Sequence, residues 1–134
     1  MTEQERAAAL WQRAIEALAG ARVLLDVDTN GAASRAFYAA FDAVSALFML
    51  EGKEFRSHKE LQTAVHRDLV HPGRWDKTLG ADYSLLHDWR NVGDYGDAQR
   101  VDRTKAEKGI HKAEGILEAV RAEKPNVFGA TPGG

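Results

Sequence analysis

The sequence predicts an all-α fold: an up-and-down antiparallel bundle of about five helices, four long and one shorter. Three observations predict it. Apolar residues recur at three- and four-residue spacing through most of the chain. The periodic stretches are bounded by capping residues, glycine or proline. No segment alternates polar and apolar residues over a useful strand length.

Helix one opens on a capping-box pattern, Thr2 with Glu5. Its apolar seam is Ala7, Trp11, Ala14, Leu18, Ala21 and Leu25, and it runs to Leu25 or Asp26. Asp28, Thr29, Asn30 and Gly31 form a turn in which Thr29 or Asn30 caps the next helix. So short a link favours antiparallel neighbours. Residues 32–50 contain no Gly, no Pro and one residue of each charge sign, Arg35 and Asp42. An apolar stretch of that length is a central helix buried nearly all round, ending near Glu51 and Gly52. It has the length of a membrane span, but Arg35, Asp42 and its small residues argue against that. Ser57 and Glu60 mark the start of helix three, which His71-Pro72-Gly73 stops. Residues 74–77 read as a loop and residues 78–92 as helix four. Gly93 and Gly96 bracket Asp94-Tyr95 and imply a bend or bulged turn. Asp97 can cap the last helix, with Ala106, Ile110, Ala113, Leu117 and Val120 as its seam. Gly109 and Gly115 weaken that helix by about 1 kcal/mol each relative to Ala, and suit either close contact or a lax surface. Residues 1–124 thus form one helical domain, and residues 125–134 a mobile C-terminal tail.

Composition narrows the function. With 18 basic and 20 acidic residues the net charge is −2, so there is no overall basic footprint for non-specific nucleic-acid binding. The absence of cysteine excludes disulfides, zinc thiolates and cysteine nucleophiles. The five histidines lack close chelating spacing, so no metal or cofactor is expected. The polar start, MTEQER, is unlike a secretory signal, and a cytoplasmic location is the default.

Chemistry concentrates in two polar stripes on otherwise apolar helices. Ser34, Tyr38, Asp42 and Ser45 recur at i, i+4, i+8 and i+11, with Arg35 beside them. Tyr83, His87, Arg90 and Asp94 recur at i, i+4, i+7 and i+11, followed by Tyr95. Buried charges need partners or a wet cleft. If the two helices are neighbours, Arg90 with Asp42, or Arg35 with Asp94, would pair as bidentate salt bridges. The alternative is that one arginine stays free to grip a phosphate. Trp75 and Trp89 read as packing residues rather than base-stacking platforms. The lysines and Arg103 of the last helix, interleaved with Asp102, Glu107 and Glu114, read as a solvated face.

Three motifs carry a family resemblance. The segment Ala33-Ser34-Arg35-Ala36-Phe37-Tyr38-Ala39-Ala40-Phe41-Asp42-Ala43 resembles the small-x-Arg-x-Tyr-Tyr-Ala-x-Phe-His signature helix of HEPN domains. Ser57-His58 resembles the family's Ser-His pair, and RNVGDY, Arg90 to Tyr95, its Arg-x-x-x-Asp-Tyr motif. Their order and spacing agree over roughly residues 8–122. The resemblance implies a HEPN-like bundle. Many members are metal-independent ribonucleases with an Arg-x(4 to 6)-His motif at a homodimer cleft. No arginine here has a histidine at that spacing; Arg90 meets Tyr95 at the first such position. Tyrosine, with an ordinary pKa near 10, is a poor acid–base substitute.

The departure favours a non-catalytic module that binds a nucleotide-like ligand or a partner protein. In this branch the implied partner is a minimal nucleotidyltransferase, in a system of toxin–antitoxin type. Arg35, Tyr38, Asp42, Arg90, Asp94 and Tyr95 are the expected lining of the cleft. The rival reading is a ribonuclease using Arg90 with His87 or Tyr95 at a dimer cleft. The third is a purely structural dimerisation role. A homodimer is expected from the apolar central helix and from the resemblance. His58 reads as a partly exposed residue of the helix-three cap.

Overall fold

The structure is a computed structural model that describes residues 1–96 and 98–129. Helix α1 is Glu3–Leu24, α2 is Thr29–Leu50, α3 is His58–Ala64, α4 is Lys77–Tyr95, α5 is Arg103–Glu123 and α6 is Pro125–Phe128. No strand occurs among the described residues. The all-α bundle follows from the periodicity. Helix α2 lies at its centre and packs against α1, α4 and α5.

Local chemistry sets most boundaries. The Thr2 side chain accepts from the Glu5 amide at 3.1 Å and the Glu5 carboxylate accepts from the Thr2 amide at 3.3 Å, a complete capping box. Helix α2 is capped by Asp28, whose carboxylate accepts from Gly31 N at 2.9 Å, rather than by Thr29 or Asn30. Asn30 is used otherwise. Its side-chain oxygen accepts from Val101 N at 2.8 Å and ties the first turn of α2 to the approach to α5. Ser57 caps α3 as expected. The helix then widens into a π-helical segment, Val65–Val70, before His71. The wider turn keeps Val65 and Leu69 inward and brings His66 Nε2 within 2.9 Å of Ser84 Oγ on α4. Asp76 caps α4, and Arg74 joins Glu51 at 2.6 Å to Glu123 at 2.8 Å, fastening the ends of α2 and α5.

Three expectations are corrected. First, α4 does not bend after Val92 but continues to Tyr95. Gly93 is needed for closeness rather than for a turn: a Cβ there would lie 2.9 Å from the Asn30 carbonyl oxygen on α2. Second, Asp102 caps α5, accepting from Lys105 N at 2.8 Å; Asp97 lies outside the described residues. Third, the tail does not begin at residue 125. Pro125 starts the short helix α6, and Phe128 is buried with its ring 5.0 Å from that of Trp11. Burial of Phe128, with Val127 packed against the core beside it, opposes the entropy lost in ordering the short segment. Residues 130–134 lie outside the described residues.

Gly109 is buried, and a Cβ there would meet Leu86 at an ordinary 3.5 Å, whereas Gly115 faces open space. By length and composition α2 could cross a membrane, but 67% of its most apolar window is buried inside the bundle. Most of its apolar surface is covered by the helices of its own chain, so it gives no separate argument for a dimer.

Candidate functional site

Helices α2 and α4 are neighbours, and their stripes meet at Arg90. The guanidinium is largely buried, with its side chain 12% exposed. One Nη donates to the Tyr38 hydroxyl at 2.8 Å and, more weakly, to the Tyr95 hydroxyl at 3.4 Å. The other donates to the Asn91 side chain at 3.1 Å. Nε lies 3.0 Å from an Asp94 carboxylate oxygen, one turn along α4. That pair has ion-pair distance without an aligned N–H···O bond, so the buried Nε–H has no hydrogen-bond partner among the described residues. The guanidinium also lies over the rings of Phe37, Tyr38 and Tyr95, 5.2 to 5.9 Å from their centroids. Burial pulls the Arg90 pKa down, but the Tyr38 hydroxyl, Tyr95 and Asp94 outweigh it and hold the cation firmly charged.

Two histidines close the other side. His87 stacks edge-on against Phe37, and His58, at the first turn of α3, packs on Phe37, Tyr38 and Phe41, closest to Phe41 at 4.7 Å between ring centroids. The two imidazoles are 6.3 Å apart. Burial, then the charge of Arg90 and the neighbouring His87, push the His58 pKa below its ordinary value. His58 thus belongs to the site and is more than a cap-region residue. No sequence signal marked it apart from the Ser-His pair, because its neighbours come from other helices.

The remaining expected residues are elsewhere. Arg35 is exposed and lies across Gly20 of α1, its Nε 3.0 Å from where a Cβ would be. It shares a cleft with Ser34 and Asp94 but makes no ion pair within 4.0 Å among the described residues. Asp42 also faces α1: it is 7% exposed, with Arg13 Nε at 4.0 Å. Neither expected cross-helix salt bridge forms. The helical wheel explains this. At 3.6 residues per turn, Asp42 lies about 80° round from Ser34, and Arg35 about 60° from Tyr38 on that same side. Tyr38 looks at α4 while Arg35 and Asp42 look at α1. Burial raises the Asp42 pKa, with Arg13 opposing, and Asp42 in turn helps raise that of the fully buried Tyr83, whose hydroxyl has no partner among the described residues. The two tryptophans are packing residues: Trp75 is buried and Trp89 packs beside Ala33 and Val101.

A polar pocket of about 560 Å³ opens at the C-terminal end of α4, lined by Asn30, Gly93, Asp94, Tyr95 and Arg100, and meets the Arg90 cluster through Asp94 and Tyr95. Its size lies in the usual range for small ligands, about 300–1,000 Å³. Tyr95 is 71% exposed and stands at its edge.

A sequence profile described as the HEPN domain matches residues 7–123. The chain belongs to the HEPN domain family. A protein of Thermotoga maritima named UPF0332 protein is 35% identical over 122 residues, covering 90% of this chain and 92% of that protein. The crystal structure of the protein TT1696 from Thermus thermophilus aligns with a TM-score of 0.74 at 23% identity, over 88% of this chain and 98% of that one. That likeness shows the fold.

In this HEPN domain Tyr95 stands five residues after Arg90, with its hydroxyl turned back to the guanidinium. The imidazoles near Arg90 arrive instead from α3 and from one turn earlier on α4. No group of three or more metal-ligating side chains occurs among the described residues.

Proposed function

We propose that this HEPN domain is a non-catalytic binding module for a phosphate-bearing, nucleotide-like ligand at the Arg90 cluster. One observation carries the reading. Arg90 donates to both Tyr38 and Tyr95, so each phenol uses an oxygen lone pair on the guanidinium and keeps its own proton to donate. A guanidinium bound to the oxygen strengthens that O–H as a donor. The Tyr95 hydroxyl, at the edge of the polar pocket, suits an anionic oxygen, and the exposed Tyr95 ring offers a base a stacking face. Arg35, unpaired on the far side of Asp94, adds positive charge. Such a ligand is also what a nucleotidyltransferase partner of toxin–antitoxin type would present, and the family resemblance supports that partner. A cytoplasmic location and a homodimer belong to the same proposal.

The test is titration calorimetry with AMP and ATP, using adenosine and inorganic phosphate as controls. Tyr38→Phe and Tyr95→Phe, which keep the rings, should each weaken nucleotide binding about 10- to 100-fold, the usual range for a charge-assisted hydrogen bond. Absence of nucleotide binding at millimolar concentration in the folded protein refutes the reading.

A second reading, metal-independent ribonuclease, is favoured by the His58–His87 pair. Two imidazoles flanking a cation can serve as base and acid. RNA cleavage in EDTA that disappears in Arg90→Ala and in His58→Ala, with both variants folded, would establish it. The binding-module reading expects no cleavage.

A further inference from the structure

A second surface, away from Arg90, has the form of a docking groove. Between α1, α2 and the segment before α3 runs a cleft of about 480 Å³, floored by Leu10, Phe41, Met49 and Phe55. It continues along α1 into a second hollow of about 300 Å³ through the shared Leu10 and Met49. Phe41 to Met49 on α2 spans about 12 Å at 1.5 Å per residue, enough for two turns of a helix laid along it. The cleft is open-sided along its length. It lacks the enclosure that buries most of a small ligand, and its elongated apolar floor fits the helix-in-groove mode.

Charge selects the occupant. The lining carries Arg6, Arg13, Lys53 and Arg56 against a single carboxylate, Glu54, which Arg6 already holds at 2.7 Å. Arg56 has no carboxylate partner within 4.0 Å among the described residues. Arg13 is 70% exposed, and its only ion pair among the described residues is the loose 4.0 Å contact to the buried Asp42. Lys53 reaches Asp68 and Glu51 only at 3.6 and 3.9 Å. In a chain whose net charge is −2, this local excess of cations around an apolar floor is complementary to acidic residues flanking an apolar stripe.

We propose that this groove docks an acidic amphipathic helix of a partner protein, its apolar face on the partly exposed Leu10, Phe41 and Phe55 and its carboxylates on Arg13 and Arg56. Phe41 also packs on His58, so the docked helix would lie against the edge of the Arg90 site. The inference is independent of what that site binds.

The test uses the full chain and a fluorescein-labelled, end-capped peptide of about fourteen residues, with leucines at i, i+3, i+4 and i+7 and flanking glutamates. A control peptide carries lysines instead. Fluorescence anisotropy should give micromolar binding of the acidic peptide, at least about tenfold tighter than the basic one. Arg13→Glu with Arg56→Glu should reverse that preference; both side chains are exposed, and circular dichroism checks the fold. The single Arg56→Glu variant should reduce it. The proposal is overturned if neither peptide binds, if both bind alike, or if the charge reversals leave the preference unchanged. It is also overturned if sedimentation finds a wild-type dimer that Arg56→Glu converts to monomer, because the occupant is then a second copy of this chain.

Discussion

The same substitution at two glycines should have opposite signs, and the difference measures how tightly α4 is held against α2. In a helix interior, Gly→Ala gains about 0.8–1 kcal/mol. At Gly115, on α5, an added Cβ meets no heavy atom within 4 Å. Gly115→Ala should therefore keep the whole gain and raise Tm by about 3–5 °C in a domain of this size. At Gly93 the added Cβ would lie 2.9 Å from the Asn30 carbonyl oxygen and 3.5 Å from Asn30 Cα and C. These are backbone atoms of the first turn of α2 and cannot rotate aside, so the end of α4 must move. Overpacking of this kind costs about 1–3 kcal/mol. Set against the helix gain, Gly93→Ala should lose roughly 1 kcal/mol. Because Arg90 and Asp94 sit on the displaced turn, the proposed nucleotide binding should weaken as well. Urea denaturation of both variants gives the stabilities, and calorimetry gives the binding. If Gly93→Ala stabilises as much as Gly115→Ala, α4 does not reach Asn30, and the close approach that positions Arg90 is wrong.

Tyr83→Phe removes a fully buried hydroxyl that has no hydrogen-bond partner among the described residues. An unpaired polar group of that kind costs about 1–3 kcal/mol, so the variant should be more stable by about 1 kcal/mol in urea denaturation; a comparable loss would mean that the hydroxyl is satisfied by a buried water. Asp42 has a folded-state pKa raised by burial above its ordinary 3.8, with Arg13 opposing. A carboxyl that holds its proton more tightly when folded makes stability fall as pH rises from about the ordinary value through the folded value, and stay low above it. Asp42→Asn should therefore raise Tm at pH 7, with a gain that shrinks toward pH 4; a gain that grows on acidification contradicts the assignment. Phe128→Ala should cost about 3 kcal/mol, the low end for a buried phenylalanine because the short α6 can undock, and should speed C-terminal proteolysis. A loss under about 1 kcal/mol would mean that the segment is held as loosely as its sequence suggests.

The long helices were legible because their determinants are local. An apolar seam with period 3.6 and a cap such as Thr2 lie within a few residues of each other. What escaped depends on contacts between elements. Three adjacent residues could cap α2, and Asn30 lost the role to Asp28 because its side chain is engaged by Val101 N. Gly93 and Gly96 have the look of a turn, but Gly93 is helical, and a side chain is excluded there because α2 comes within a Cβ of it. The π segment, where the chain widens to carry His66 to Ser84, has no local signature. Phe128 was an unremarkable tail residue until Trp11 was opposite it.

The site divides along the same line. Helical spacing puts Arg90 and Asp94 on one face of α4, followed by Tyr95, and Tyr38 on the stripe of α2, and the fold brings the four side chains together. The series Ser34, Tyr38, Asp42 at i, i+4, i+8 looks continuous on paper, with Arg35 beside it. Each four-residue step rotates about 40°, so two steps carried Asp42 round to α1, where it is buried beside Arg13. The consequence is chemical. Had Asp42 reached Arg90, two carboxylates would have faced one guanidinium and the site would repel anions. Among the described residues only Asp94 is within reach, and Arg90 turns to neutral phenols. The turn that carries Asp42 to α1 therefore leaves one carboxylate, not two, beside the guanidinium, the condition that the proposed phosphate binding needs.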